Sequence, residues 1–336
     1  MNLHRFWRAL LWPLSLLYGA AARVRAWIYQ KGWLKQRRLR ATVISVGNLT
    51  VGGTGKTPMV IWLAETFLAE GKRVAILSRG YRGSGGTSDE IELMKFRLQG
   101  RVAFGVGKDR FAEGQRIEAQ QPVDIFLLDD GYQHLQLARD LDILLVDSSR
   151  PLRNQSLLPS GRLREPLSAI HRADIVVFTR VNDQLFIKRA IQELPQFPIF
   201  PATTQLIRYR RMTSDQQSLA PAFELPPQPV FAFCGIGNPD AFFADADRWG
   251  NVVAGRAVFR DHHSYSAADM RRLYDSAKRA GARAFLTTEK DAQNLGDLRS
   301  SSLPIYYCEI EMRIADTSAF QAVLERTIID RRGVAA

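Results

Sequence analysis

The sequence predicts an α/β protein: a mostly parallel sheet covered by helices, a second and smaller α/β domain, and a basic amphipathic helix at the N-terminus. Three observations carry this. Short β-rich runs at 42–46, 73–77, 102–106, 123–128, 141–146 and 175–178 alternate with helix-compatible stretches such as 59–68 and 109–121, the rhythm of strands joined by helical crossovers. Prolines at 195, 198, 201, 221, 226, 227 and 229 then interrupt the pattern, which restarts at 230–233. Finally, residues 1–40 contain nine Lys or Arg and no acidic residue.

The expected organisation follows from these breaks: a helical segment over 1–40, a first domain over 41–205, a linker over 206–229 and a smaller α/β domain over 230–330. A chain of 336 residues is long enough for two cores. In the second domain, 252–259, 284–287 and 305–308 read as strands, and 240–248, 267–280 and 317–328 as helices. Cys234 and Cys308 form neither a metal-binding spacing nor a disulfide framework, which fits a reducing compartment.

The N-terminal run ALLWPLSLLYGAAA over 9–22 is uncharged and flanked by Arg5, Arg8, Arg23 and Arg25. Trp7, Trp12, Tyr18 and Trp27 are rings suited to headgroup depth. A perpendicular crossing needs about 20 apolar residues, so this shorter run predicts a helix lying in or dipping into one leaflet of an anionic membrane. A plain helix packed on the domain and a cleaved leader ending near Ala20-Ala21-Ala22 are the competing readings. The net charge of +12 is too concentrated here to argue for nucleic acid, and no nucleic-acid partner is expected.

The most specific signal is Gly52-Gly53-Thr54-Gly55-Lys56-Thr57, between a strand and a helix. Glycines let backbone N–H groups converge on phosphate oxygens, and the following helix adds its unsatisfied amides. Lys56 is expected to reach the β- and γ-phosphates and Thr57 to place its hydroxyl on magnesium. The fold is therefore P-loop NTPase-like, with ATP and Mg2+ as cofactors, and a cytoplasmic ATP supply argues against the cleaved leader. The ordinary P-loop has glycine where this chain has Thr50. Pro58 falls in the first helical turn, where a missing N–H costs little. Asp129 and Asp130 end an apolar strand on the ligand-binding side of such sheets and are expected to hold the metal directly or through water.

At these residues the chain resembles the tetraacyldisaccharide 4'-kinases of lipid A biosynthesis in Gram-negative bacteria. The resemblance runs through Ser45 to Pro58, Ser78-Arg79-Gly80-Tyr81, Leu128-Asp129-Asp130-Gly131-Tyr132-Gln133-His134, Leu157-Leu158-Pro159 with Leu163-Arg164-Glu165-Pro166, Asp261-His262-His263 and Thr288-Glu289-Lys290-Asp291. Thr50 matches as well. The chain departs from the family's pattern at Arg82, Tyr132, Ser160 and Arg162. The resemblance implies transfer of the γ-phosphoryl of ATP to the 4'-hydroxyl of an acylated glucosamine disaccharide 1-phosphate, at the cytoplasmic face of the inner membrane, in a cleft between two α/β domains. It also implies that Asp89 acts as base with His262. No obligate protein partner is expected.

Chemically, a carboxylate can take the proton of an acceptor hydroxyl as the new bond forms, with an imidazole orienting it. Asp89 lies in a glycine-rich polar stretch, 79–90, expected to be a loop, and Asp261 is the expected partner that fixes the tautomer of His262. His262 as base with a carboxylate behind it is the alternative, and the sequence leaves the two open. Arg79 is a candidate phosphate ligand, and His134 a residue supporting the carboxylate pair. Lys290 reads as an interdomain or nucleotide-edge residue without a chemical role. A membrane-binding P-loop ATPase that acts as a positioning switch shares the cradle, and differs in lacking an acceptor.

Overall fold

The computed structural model describes residues 3–80, 88–150, 152, 155–181, 184–212, 226–296 and 303–333. The chain divides into two compact units, one of Met1–Tyr81, Arg97–Thr203 and Met312–Ala336, the other of Arg82–Phe96 and Thr204–Glu311. Each unit is thus assembled from separated stretches, whereas the sequence suggested contiguous ones.

The first unit begins with α1 (Leu3–Gln30), followed by β1 (Thr42–Asn48), α2 (Lys56–Ala69) and β2 (Val74–Ser78). After a segment that belongs to the other unit come β3 (Ala103–Val106), α4 (Arg110–Gln120), β4 (Ile125–Asp129), β5 (Leu141–Asp147), a 3-10 helix (Leu167–Arg172), β6 (Ile175–Thr179) and α5 (Gln184–Glu193). The strand order is β3-β2-β4-β1-β5-β6, and β6 pairs with the start of β7 (Ile199–Arg211). All of these pairings are parallel. Every residue of β1, β4 and β5 is buried, as expected where helices cover both faces. That burial explains why these strands are rich in apolar and β-branched residues. On one face α2 buries Met59, Val60, Leu63, Ala64 and Phe67. α9 (Thr317–Gly333) returns to this unit and buries Phe320 completely, edge-on to Trp62 and Phe200.

The second unit starts with α3 (Asp89–Leu98) and continues with β8 (Val230–Cys234), α6 (Pro239–Arg248), β9 (Val253–Val258), α7 (Ala267–Arg279), β10 (Ala284–Thr288), α8 (Glu289–Asn294) and β11 (Ile305–Ile314). Its order is β11-β10-β8-β9, again parallel. β7 and β11 each run from one unit into the other. Cys234 and Cys308 are buried in an apolar cluster with Tyr209, Leu286 and Tyr306. Burial pushes the Cys234 thiol up to about 12, so both cysteines act as packing residues.

Two expectations change. Residues 206–211, placed in a linker because of the neighbouring prolines, complete β7; only Pro201 lies inside that strand, and its β-branched and apolar neighbours carry the pairing. The loop expected over 79–90 ends earlier, because Asp89 opens α3. Residues 81–87, including Tyr81 and Arg82, and the polar patch at 214–218 lie outside the described residues.

α1 presents its apolar residues outward. Its less exposed described positions are 11, 15, 19, 22, 26, 28 and 29, and all but 28 fall on one narrow stripe at helical spacing. Ser15 lies in that stripe and exchanges hydrogen bonds with Ser160 at 2.8 and 3.0 Å. Tyr18 donates to the Arg164 carbonyl, and a methyl group at Gly19 would meet Leu157 at 2.5 Å. Leu14, Leu16, Leu17, Trp12 and Val24 face away, with Leu17 68% exposed. No described helix is long and apolar enough to cross a membrane.

Truncating Phe320 to Ala is expected to cost about 3–5 kcal/mol of stability, the usual range for a fully buried aromatic. Denaturant unfolding of the variant against wild type measures it.

Candidate active site

The phosphate-cradle candidates collect at the C-terminal edge of the first unit's sheet. β1 leads into the 49–55 turn, β4 ends at Asp129, β2 at Ser78 and β6 at Thr179. Gly55 sits at φ 90, a left-handed conformation that side chains rarely adopt. It directly precedes α2 with no side chain capping the helix amides. The turn's carbonyls are tied back instead. Arg162 donates to the Val51 carbonyl at 2.8 Å, Arg180 to that of Gly53 at 2.9 Å, and the Thr179 hydroxyl to that of Thr54 at 3.0 Å. Asn48 donates to the Thr54 hydroxyl oxygen at 2.9 Å. With its carbonyls held, the turn leaves amides to face an anion. Arg162, which replaces a small or neutral residue of the family pattern, thus braces the cradle.

Lys56 Nζ lies 3.4 Å from Asn48 Oδ1 and 3.5 Å from Asp130. Arg164 contacts both oxygens of Asp130, at 2.8 and 2.6 Å. Burial opposes charge on Asp130, but Lys56 and Arg164 outweigh it and hold the carboxyl below its ordinary value. Asp130 also has φ 48, a left-handed strain of the kind that gathers at functional sites. Asp129 is buried and accepts from the Ser78 hydroxyl at 3.1 Å. The two acids that the sequence paired for one metal therefore have different neighbours. Thr57 is the second residue of α2. Arg110, not singled out from sequence, is buried at the start of α4. Burial and the neighbouring Arg79 lower its pKa, against the pull of Asp130 and Asp129. His134 is also in this unit; burial, together with Arg110 and Arg139, lowers its pKa to about 4, so the ring is neutral.

The acid–base candidates lie in the second unit. His262 Nδ1 is 2.6 Å from Asp89 Oδ1 and 2.9 Å from Oδ2, although 173 residues separate the two. Asp89 is the first residue of α3, and His262 follows β9 with φ 59. Asn294 of α8 donates to Asp89 Oδ2 at 3.2 Å. Lys290 reaches Asp261 at 3.0, Glu90 at 3.3 and Asp89 at 3.4 Å. Asp261, expected to hold the imidazole tautomer, is 3.9 Å from His262 Nε2 and pairs with Lys290; Asp89 itself holds Nδ1, because α3 delivers its carboxylate there. His263 instead faces Asp269 at 3.2 Å and stacks on Phe259. Glu90 and Asn294 were not singled out from the sequence, and Lys290 was read only as an interdomain or nucleotide-edge residue. The Thr-Glu-Lys-Asp run at a strand end was a signal, but nothing in sequence indicated that α8 meets α3.

The comparisons with known proteins bear on both clusters. The family model described as tetraacyldisaccharide-1-P 4'-kinase matches residues 7–329. The chain belongs to this family. It is 37% identical to the tetraacyldisaccharide 4'-kinase of Geobacter metallireducens, over 97% of this chain and 100% of the relative. It is 40% identical to that of Pelobacter propionicus, over 95% and 93%. Among solved structures it resembles LpxK from Aquifex aeolicus, described as an "apo" form in complex with ATP. That match has a TM-score of 0.70 and 30% identity, covering 96% of this chain and 99% of the other. The matched range covers both units: the 45–58 and 128–134 runs border the cradle, and the Asp261-His262 pair lies beside α3.

The Asp89 hydrogen bond raises the His262 pKa above 6.5, against burial and Lys290. Burial opposes ionisation of Asp89, yet the His262 bond and Lys290 bring its pKa well below the ordinary 3.8. The Asp89 contribution to stability is therefore present above about 3.8 and lost as pH falls through the lowered folded value. The His262 contribution is present below about 6.5 and lost as pH rises through the raised folded value. Asp89→Asn is expected to move the His262 titration midpoint downward. Imidazole NMR across pH measures this, and an unchanged midpoint contradicts the pairing.

Proposed function

We propose that this chain is an ATP-dependent kinase that phosphorylates the 4'-hydroxyl of a tetraacylated glucosamine disaccharide 1-phosphate, a step of lipid A biosynthesis. The single observation that carries this reading is the family match over residues 7–329, which spans the cradle and the Asp89–His262 pair. Gly52, Gly53, Thr54 and Gly55 supply amides for the phosphates of ATP, and Lys56 supplies charge where negative charge develops during transfer. Thr57 and Asp129 offer a hydroxyl and a carboxylate, the hard oxygen donors that magnesium takes. Asp130 is engaged by Lys56 and Arg164 and completes the acidic set. When bound, magnesium supplies charge neutralisation at the β- and γ-phosphates.

Asp89 is the proton acceptor for the 4'-hydroxyl in this reading. His262 Nε2 faces Glu90 at 3.5 Å and Asp261 at 3.9 Å. Carboxylates on both sides favour imidazolium, which has no lone pair to accept a proton. His262 then orients Asp89 through Nδ1, and Asp89 stays ionised throughout the neutral range.

The acceptor's acyl chains tie it to a bilayer, because each buried methylene is worth about 0.8 kcal/mol. The outward apolar residues of α1, with Arg23 and Arg25 beside them, suit peripheral or monotopic attachment to the anionic cytoplasmic face. Replacing Leu14 and Leu17 together by Asp is expected to weaken binding to anionic vesicles by more than about tenfold, since each leucine is worth about 1.5–3 kcal/mol. Vesicle flotation measures the loss, with nucleotide binding as the control for folding.

The decisive assay supplies magnesium-ATP and a defined acylated disaccharide 1-phosphate. Wild type is expected to form the 4'-phosphate with one ADP released per product. Asp89→Ala and His262→Ala are each expected to lose at least about a hundredfold in kcat, the scale of general-base catalysis. ADP release independent of acceptor would favour the ATPase reading instead.

A further inference from the structure

The sequence offered no chemical role for Lys290, yet its ammonium stands among three carboxylates from two separate chain segments. Asp261 is at 3.0 Å, Glu90 at 3.3 Å and Asp89 at 3.4 Å. The side chain is only 15% exposed. Such burial is costly for an ammonium unless carboxylates surround it. It is also costly for three carboxylates to approach without a cation between them. The lysine and the acids therefore require one another.

We propose that Lys290 is a positioning residue that holds the candidate base Asp89 ionised and aligned on His262, by neutralising the acidic cluster from the N-terminal end of α8. The claim rests on the kinase reading only for its consequence on rate. The groups facing Asp89 come from three elements: Glu90 on α3 itself, Asp261 and His262 on the segment after β9, and Lys290 with Asn294 on α8. His262, when protonated, is one cation in this set and Lys290 the other. Asp89 Oδ2 receives Asn294 and lies beside Lys290, while both its oxygens lie within hydrogen-bond reach of His262 Nδ1. The α8 side chains thus hold Oδ2, the carboxylate oxygen that lies slightly farther from the ring nitrogen.

Two variants separate charge from packing. Lys290→Met keeps the length of the stem and removes the ammonium; Lys290→Arg keeps the charge. With one cation gone, the three carboxylates draw more strongly on the remaining imidazolium. In Lys290→Met the His262 midpoint is expected to rise, by about half a pH unit or more, equivalent to a threefold change in proton affinity. With ATP varied up to saturation, kcat is expected to fall by about tenfold, with KM for ATP within about twofold of wild type, because Lys290 acts on Asp89 and not on the phosphate cradle. Lys290→Arg is expected to restore the midpoint and most of the rate. An unchanged midpoint in Lys290→Met overturns the proposal. So does a midpoint that falls toward 6.5, which is the mark of a pair that has simply come apart. An Arg variant no better than Met overturns it too. Should wild type form no product at all, the kinase reading fails, and the NMR comparison of the same three proteins still decides the role of Lys290.

Discussion

The phosphate cradle depends on where its carbonyls go. A glycine-rich turn has as many acceptors as donors, and an anion is repelled by the acceptors. Here Arg162, Arg180 and Thr179 take up the Val51, Gly53 and Thr54 carbonyls. Amides and the open end of α2 are then left for the ligand. Each brace comes from an element that the sheet delivers: Thr179 ends β6, Arg180 follows it, and Arg162 lies in the segment that pairs Leu163 with Thr50. Arg180 is itself fixed by Asp147 at the end of β5. The parallel register, with Asp147 beside Thr179, is what brings these groups to one edge.

The same segment ties the cradle to α1. Ser160 meets Ser15, the Arg164 carbonyl takes the Tyr18 hydroxyl, and the Arg164 guanidinium holds Asp130. A helix that docks through serine, glycine and a tyrosine hydroxyl leaves Trp12, Leu14, Leu16 and Leu17 exposed to another medium. This is the reverse of an ordinary surface helix, whose apolar stripe faces the core. Two of the chain's departures from the family pattern, Ser160 and Arg162, lie in this connection, one bonded to α1 and one to the turn. The candidate acid–base pair is organised by a different means. There the second unit surrounds Asp89 with His262, Lys290 and Asn294, so that a carboxylate at a helix start is held by side chains rather than by backbone.

Much of this was legible in the residues because it is local. A Gly-Lys-Thr turn between a buried strand and a helix points to phosphate binding by itself, and β1 and β5 announce themselves as short β-rich runs. α7 was equally plain, with Ser266 and Asp269 forming a capping box at its start. What escaped were features that depend on distant segments. β7 was obscured because prolines flank it and its burial alternates only in part. Asp89 was assigned to a loop, since the glycines before it outweighed a helix of mixed polarity. Lys290 was set aside because its partners come from α3 and from residue 261, a contact that no spacing records. Asp261 was given the tautomer of His262 for the opposite reason: adjacency in sequence suggested a contact that the left-handed backbone at His262 directs elsewhere.

The central claim is that the braced turn between β1 and α2 holds the triphosphate. A crystal structure with magnesium and a non-hydrolysable ATP analogue tests it most directly. The account requires the β- and γ-phosphates to lie against the amides of 52–57 with Lys56 alongside. A nucleotide bound elsewhere, or a turn whose carbonyls face the ligand, would contradict it.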